Sequence, residues 1–233
     1  LNDPIFDNYM YYEPFVGMGH ILWRVKRKHS YMASDVKQLL IRLLAGVQAN
    51  EALPIIEKSE YNQLKHGTDI SLKRACACYQ WSFSGKEWAG WSHTYKRRNG
   101  RIDNMVESRA RYYDKLRASS TFQQAQLHCM DYRDLHPVAG ALIYCDPPYR
   151  GTMGYGKDTF DSDEFWDIVR EWSRTCIVFV SEYSAPSDFV EYASSYKQRT
   201  MGGGHLQRTR IERLYVHESV LSRIDALPHS RRD

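Results

Sequence analysis

Asp146-Pro147-Pro148-Tyr149 puts an acid, two prolines and an aromatic in consecutive positions. The Asp146 carboxylate and the Pro147 carbonyl can both accept hydrogen bonds from an amino group, and the Tyr149 ring offers a face for stacking. The prolines fix φ and hold the residues before them extended, so the turn is stiff and its carbonyls are pre-aimed. This is equipment for holding a planar, amino-bearing base. A Pro-Pro turn with a capping aspartate is the plain alternative, and the rest of the chain decides between the two.

A second group of residues suits a nucleoside. Gly17-Met18-Gly19 lacks side chains where a ligand would approach the backbone. It also lacks the third glycine of a dinucleotide site, so a pyrophosphate ligand is not indicated. Asp35 stands at the end of the next strand candidate, where an acid is placed to bind ribose hydroxyls; it could equally N-cap the following helix. Asp131 ends a third strand candidate at residues 126–130.

These groups need elements to position them. Residues 141–145, Ala-Leu-Ile-Tyr-Cys, form a short unbroken apolar run and read as a strand buried on both faces of a parallel α/β sheet. Ligands of such sheets sit just beyond the strand carboxyl ends, where Asp146 falls. Residues 9–12 and 30–34 read as two earlier strands, and the glycines open a helix at residues 20–28 with Ile21, Leu22 and Val25 as its apolar side. Val36, Leu39, Leu40, Leu43, Leu44 and Val47 give a helical stripe. Asp161 and Glu164 have capping-box spacing ahead of a helix with Phe165, Ile168, Val169 and Trp172 on one face. A strand at 176–180, a short helix at 188–194 and a closing strand at 213–217 complete the alternation.

The segment 52–121 is too long for a crossover and reads as an insertion, dividing a catalytic domain into residues 1–51 and 122–233. Trp81, Trp88, Trp91, Tyr79, Tyr95, Tyr112 and Tyr113 interleave there with basic residues. Such a mixture suits phosphate contacts and base wedging, whereas aromatics alone would mean a small separate core.

The net charge of the 233-residue chain is only +4, but it is uneven. Residues 96–117 carry a net +5 and residues 197–213 a net +4, which leaves −5 for the rest. Lys96, Arg97, Arg98 and Arg101 surround Asn99-Gly100, a turn signal, and Arg208 and Arg210 follow Gly202-Gly203-Gly204. Two concentrated basic stretches on an acidic body point to a polyanion, with solvated faces as the competing explanation. No apolar run reaches membrane-spanning length and no signal-peptide pattern opens the chain, so neither a membrane partner nor secretion is expected. The five cysteines form an odd count without metal-finger spacing; Cys145 and Cys176 lie in apolar runs and are expected to be reduced and buried in a cytoplasmic protein.

In order along the chain, Glu13-Pro14-Phe15-x-Gly17-x-Gly19, Ser34-Asp35, Asp131 and Asp146-Pro147-Pro148-Tyr149 resemble the motifs of the Dam-like DNA N6-adenine methyltransferases, the D12 class. The resemblance covers residues 9–217. Residues 82–90, Ser-Phe-Ser-Gly-Lys-Glu-Trp-Ala-Gly, look like the phage-type versions, and Glu212-Arg213-Leu214-Tyr215-Val216 looks like the closing strand. Met18 stands where the family usually has a small residue, and the family's Gly-Lys segment ahead of the first motif has no counterpart among the residues before Glu13.

The resemblance implies a Rossmann-like S-adenosylmethionine-dependent methyltransferase fold with an inserted target-recognition subdomain, in a bacterial cell or a phage-infected host. It assigns Glu13, Pro14, Phe15, Gly17, Gly19, Asp35, Asp131 and Asp146 to the cofactor. Asp146, Pro147, Pro148 and Tyr149 go to catalysis, and Lys96, Arg97, Arg98, Arg101, Arg208 and Arg210 to double-stranded DNA. No metal is implied. Similar Pro-Pro-aromatic loops serve cytosine N4 in DNA or exocyclic amines in RNA, and a catalytically silent DNA-binding relative would keep the same fold.

Overall fold

The computed structural model describes residues 1–96, 102–148, 160–200 and 207–227. In chain order the elements are β1 (Met10–Glu13), β2 (Ser30–Asp35), α1 (Gln38–Gln48), α2 (Lys58–His66), α3 (Leu72–Ala75), β3 (Thr94–Lys96), β4 (Ile102–Asn104), α4 (Met105–Arg117) and α5 (Ser120–Gln124). They continue with β5 (Gln126–Cys129), β6 (Leu142–Cys145), α6 (Ser162–Ser173), β7 (Ile177–Glu182), β8 (Phe189–Thr200), β9 (Gln207–His217) and α7 (Glu218–Asp225). Seven strands are ordered β5-β2-β1-β6-β7-β9-β8, and β3 and β4 form a separate pair. β2 with β5, β1 with β6, and β6 with β7 are parallel; β9 is antiparallel to both β7 and β8. The order reverses direction between β1 and β6, the switch point of a doubly wound sheet, with an antiparallel pair at one edge. This is the Rossmann-like α/β fold. Among the described residues no helix is long and apolar enough to cross a membrane.

The chain divides into two compact units, one of residues Leu1–Phe15, Lys26–Tyr31 and Arg133–Asp233, the other of Val16–Val25 and Met32–Tyr132. In the first, every residue of β6 and β7 is buried, as their continuous apolar runs require. α6 lays Phe165, Trp166, Val169 and Trp172 into this core, and the Trp166 ring lies 4.5 Å from Phe189 at the start of β8. Its N-terminus is capped by Asp161, whose carboxylate accepts from the Asp163 and Glu164 N–H groups at 3.0 Å. Glu164 does not complete the expected capping box by bonding back; its carboxylate pairs with Arg133 at 2.9 Å.

In the second unit α1 buries Leu39, Leu40, Leu43, Leu44 and Val47, as the stripe predicts. Val36 does not join them. It precedes the helix and is 58% exposed. The Asp35 carboxylate accepts from the Lys37 N–H at 3.0 Å, bracing the approach to α1, while the N-cap position belongs to Lys37.

Two predicted helices are corrected. Of residues 20–28 only Leu22–Arg24 forms a single 3-10 turn. The Ser119 hydroxyl donates to the Trp23 carbonyl at 3.0 Å and the Thr121 hydroxyl to the Val25 carbonyl at 2.5 Å, so the acceptors that would extend a helix are taken by side chains from α5 and the residue before it. Arg27 then adopts φ +58°, which ends any helical continuation. Of residues 188–194, all but the turn residue Asp188 belong to β8, paired with β9 from Phe189 opposite His217 onward. A register irregularity between Glu191 and Ala193 breaks the alternation by which a strand is recognised. The closing strand is correspondingly longer than residues 213–217.

Candidate functional site

In the second unit the glycine turn and the acid of β2 form one hydrogen-bonded structure. The Val16 N–H donates to the Ser34 carbonyl at 2.9 Å and the Gly19 N–H to the Val16 carbonyl at 2.8 Å, closing the turn. Gly17 and Gly19 have φ of +50° and +76°, the left-handed region that glycine enters without strain. A side chain at Gly17 would meet no atom within 4 Å, so the turn opens onto space. The Gly17 N–H donates to one oxygen of Asp35 at 3.2 Å and the Lys37 N–H to the other at 3.0 Å. Each oxygen accepts one backbone donor and keeps capacity for another, so the carboxylate is aimed at two further donors. Burial pushes the Asp35 carboxyl above its ordinary range, while the two N–H groups and the Lys37 ammonium pull it back.

Asp131 follows β5 and is half-buried. The Met130 N–H donates to the Asp35 carbonyl at 3.1 Å and the Cys129 thiol to the Val36 carbonyl at 3.7 Å, so the carboxyl ends of β2 and β5 are tied together. Exposed Val36 lies immediately beyond Asp35, an apolar surface suited to a flat ring. The structure adds residues whose proximity no sequence pattern signals. The Lys37 ammonium is 3.3 Å from the Glu87 carboxylate. Tyr79 lies buried within reach of both acid charges, and its hydroxyl is pushed far up, chiefly by burial and then by Cys78, Glu87 and Asp35.

In the first unit Glu13 ends β1 and is only 2% exposed. The Tyr11 hydroxyl donates to it at 2.7 Å. Burial, then the Glu13 charge, push that hydroxyl well above its ordinary pKa, so it stays a donor at any working pH. Pro14 is buried, and Phe15 packs edge-on against Phe160 and Phe165 at 6.0 and 5.6 Å. Tyr11→Phe deprives a buried carboxylate of a donor and should cost about 1–3 kcal/mol of stability. Urea unfolding measures this: a lowered midpoint at unchanged m-value is expected.

Asp146 follows the wholly buried β6 directly and is itself exposed, with Pro147 buried and Pro148 half-buried behind it. The Cys145 thiol and Tyr144 hydroxyl are pushed up by burial first and by the Asp146 charge second. Neither supplies a nucleophilic anion near neutral pH. Glu182, a buried acid at the end of β7, was not singled out by the sequence. Tyr149 lies outside the described residues.

Most of the aromatics at 52–121 are structural. Trp81 stacks near Trp91 and His93 at 6.4 and 5.7 Å, and the Trp81 and Trp91 indole N–H groups donate to the Pro54 and Ile56 carbonyls. Tyr79, Trp81 and Tyr113 are buried and form a core rather than base wedges. β3 and β4 pair antiparallel with Lys96 opposite Ile102. Arg97, Arg98 and Arg101 lie outside the described residues; Arg208 and Arg210 lie in β9. The five cysteines are free, four of them buried. Among the described residues no cluster of three or more His, Cys, Asp or Glu is arranged to hold a metal ion.

No protein-family model matches the chain, and no curated protein matches it. Among solved structures the chain is similar to SMU.472, a protein assigned as a methyltransferase and solved with S-adenosylhomocysteine. The match has 12% identity and a TM-score of 0.33, and 91% of this chain aligns with 48% of that one, so the chain spans about half of its length.

Proposed function

We propose that the chain transfers a methyl group from S-adenosylmethionine to N6 of adenine in double-stranded DNA, with residues 52–121 as the target-recognition subdomain. The observation that carries the cofactor half is the Asp35 carboxylate held by the Gly17 and Lys37 N–H groups beside an open turn. A fixed acid with one acceptor site left on each oxygen fits a ribose diol, and the uncluttered turn fits the methionyl chain. Asp131 would take the adenine amino group. When bound, this cofactor supplies an electrophilic methyl group on a sulfonium.

The exocyclic nitrogen of adenine is a weak nucleophile because its lone pair is conjugated into the ring. Asp146 and the Pro147 carbonyl, as acceptors for its two protons, favour pyramidal geometry at nitrogen and oppose the positive charge that develops there. Stiffness of the Pro-Pro turn keeps both acceptors in place and limits the entropy lost on reaction. A duplex base is hidden in the stack, so the target must be extruded, and Tyr149 offers a ring face to receive it.

Incubation with labelled S-adenosylmethionine and unmethylated DNA or RNA, followed by nucleoside analysis, tests the reading. N6-methyladenine in DNA is the expected product. N4-methylcytosine or a labelled RNA nucleoside would reassign the substrate, and no label would leave a silent binding relative. The basic stretch at residues 96–101 gives a second test. Each neutralised phosphate contributes about 0.9 to the log-log salt slope of duplex binding. Replacing Arg97, Arg98 and Arg101 together with alanine should weaken DNA binding and flatten that slope by up to about three contacts' worth, leaving cofactor affinity unchanged. If slope and affinity both stay as they were, the cluster is a solvated face.

A further inference from the structure

We propose that Glu87 is a second acceptor for the ribose hydroxyls of the nucleoside cofactor, supplied beside Asp35 by the loop at residues 82–90. This rests on the S-adenosylmethionine reading of the Gly17–Asp35 turn and adds to it a residue that the resemblance does not assign to the cofactor.

The loop is anchored so that Glu87 has little choice of position. The Phe83 N–H donates to the Gly90 carbonyl at 2.8 Å and the Trp88 N–H to the Cys78 carbonyl at 3.2 Å. The Ser82 hydroxyl accepts from the Ala89 N–H at 2.7 Å and from the Tyr61 hydroxyl at 3.2 Å. Trp88, next to Glu87, adopts φ +46° and lies with its ring against Tyr61 at 5.6 Å and under the Arg74 guanidinium at 5.4 Å. A bulky residue in the left-handed region carries strain and persists only where its surroundings over-determine it. Such positions gather at functional sites.

The anchoring brings Glu87 within 3.3 Å of the Lys37 ammonium, two residues past Asp35. Its charge acts on both Asp35 and the buried Tyr79. The Lys37 and Glu87 side chains retain 32% and 29% of their exposure, so a ligand at the turn can reach them. A half-exposed ion pair contributes about 1 kcal/mol or less to stability, which is a weak reason to hold a strained loop in place. The Lys37 ammonium pairs with Glu87 while Asp35 receives two backbone N–H groups, and the two carboxylates keep more acceptor sites than these donors fill. A ribose presents two neighbouring hydroxyl donors and matches that excess: Asp35 takes one and Glu87 the other.

Calorimetry on the full chain separates this role from a structural one. The probes are S-adenosylhomocysteine and its 2′-deoxy and 3′-deoxy analogues. Glu87→Gln keeps an amide oxygen but removes the charge, and should weaken S-adenosylhomocysteine binding about tenfold, the difference between a charged and a neutral acceptor. Against the analogue lacking the hydroxyl it serves, the same variant should cause little further loss. Glu87→Asp keeps the charge but draws the carboxylate back, and should fall between the two. An unchanged affinity in Glu87→Gln overturns the assignment. So does an equal loss for all three ligands, which would mean that the loop merely supports the turn. If Asp35→Ala loses affinity while Glu87→Gln does not, the cofactor reading stands and Glu87 leaves the site. If the wild-type chain binds none of the three ligands, both readings fall.

Discussion

Asp146→Ala should lower the rate of methyl transfer by about two to three orders of magnitude, while S-adenosylhomocysteine binds within a small factor of wild type. The magnitude is that of deleting one fixed group that faces charge developing in a transition state. Asp146 follows a strand whose four residues are all buried and precedes a Pro-Pro pair, so its carboxylate is presented by rigid backbone on both sides. The residue itself is exposed, where substitutions usually cost less stability than in the core. Lost activity would therefore report chemistry and not unfolding, which a thermal melt of the variant checks. Asp146→Asn keeps an acceptor without the charge and should retain more activity than alanine. Single-turnover rates with saturating cofactor isolate the chemical step, where the loss should appear. A near-wild-type rate in Asp146→Ala would remove the proposed catalytic role. Neither neighbour can replace the lost negative charge, because burial keeps Cys145 as thiol and Tyr144 as phenol.

How far the sequence carried depends on the range of the interaction concerned. Unbroken apolar runs and period-3.6 stripes are local, and they placed β6, α1 and α6 within a residue or two. The Gly17-x-Gly19 turn and Asp35 were visible as residue types, because left-handed backbone and a strand-end acid have few alternatives. Their hydrogen bond to each other was not visible, since it joins residues 18 apart in the sequence through the fold. The helix expected at residues 20–28 failed for a long-range reason: Ser119 and Thr121, remote in sequence, take the carbonyls it needed. Residues 188–194 failed for a local one, a bulge that disguises a strand. The tryptophans at 52–121 were compatible with a core or with wedges, and only their indole donors, satisfied by Pro54 and Ile56, mark Trp81 and Trp91 as packing. Glu87 and Lys37 meet through a folded loop, which no periodicity encodes.

Asp35→Ala should weaken S-adenosylhomocysteine binding by roughly 2–4 kcal/mol, a loss of about 30- to 1000-fold in Kd. One hydroxyl bond to a charged acceptor, together with the support that the carboxylate gives the turn, accounts for the range. Part of the effect is indirect, because the same carboxylate holds the Gly17 and Lys37 N–H groups and so shapes the turn the ligand enters. The pH dependence separates the direct part. Binding of hydroxyl donors needs the carboxylate form, and burial, the largest influence on this group, raises the Asp35 carboxyl above its ordinary range. Lowering the pH should therefore protonate Asp35 earlier than a typical aspartate, and wild-type affinity should fall as the pH drops through that raised value. Asp35→Ala should show a flat profile over the same interval, at the reduced affinity. Calorimetry at a series of pH values, with S-adenosylhomocysteine as the probe, gives both curves. Parallel curves would mean that the titration belongs to another group. Equal affinities at neutral pH would take Asp35 out of the cofactor site altogether, and the glycine turn beside it would lose the observation that makes it a nucleoside site.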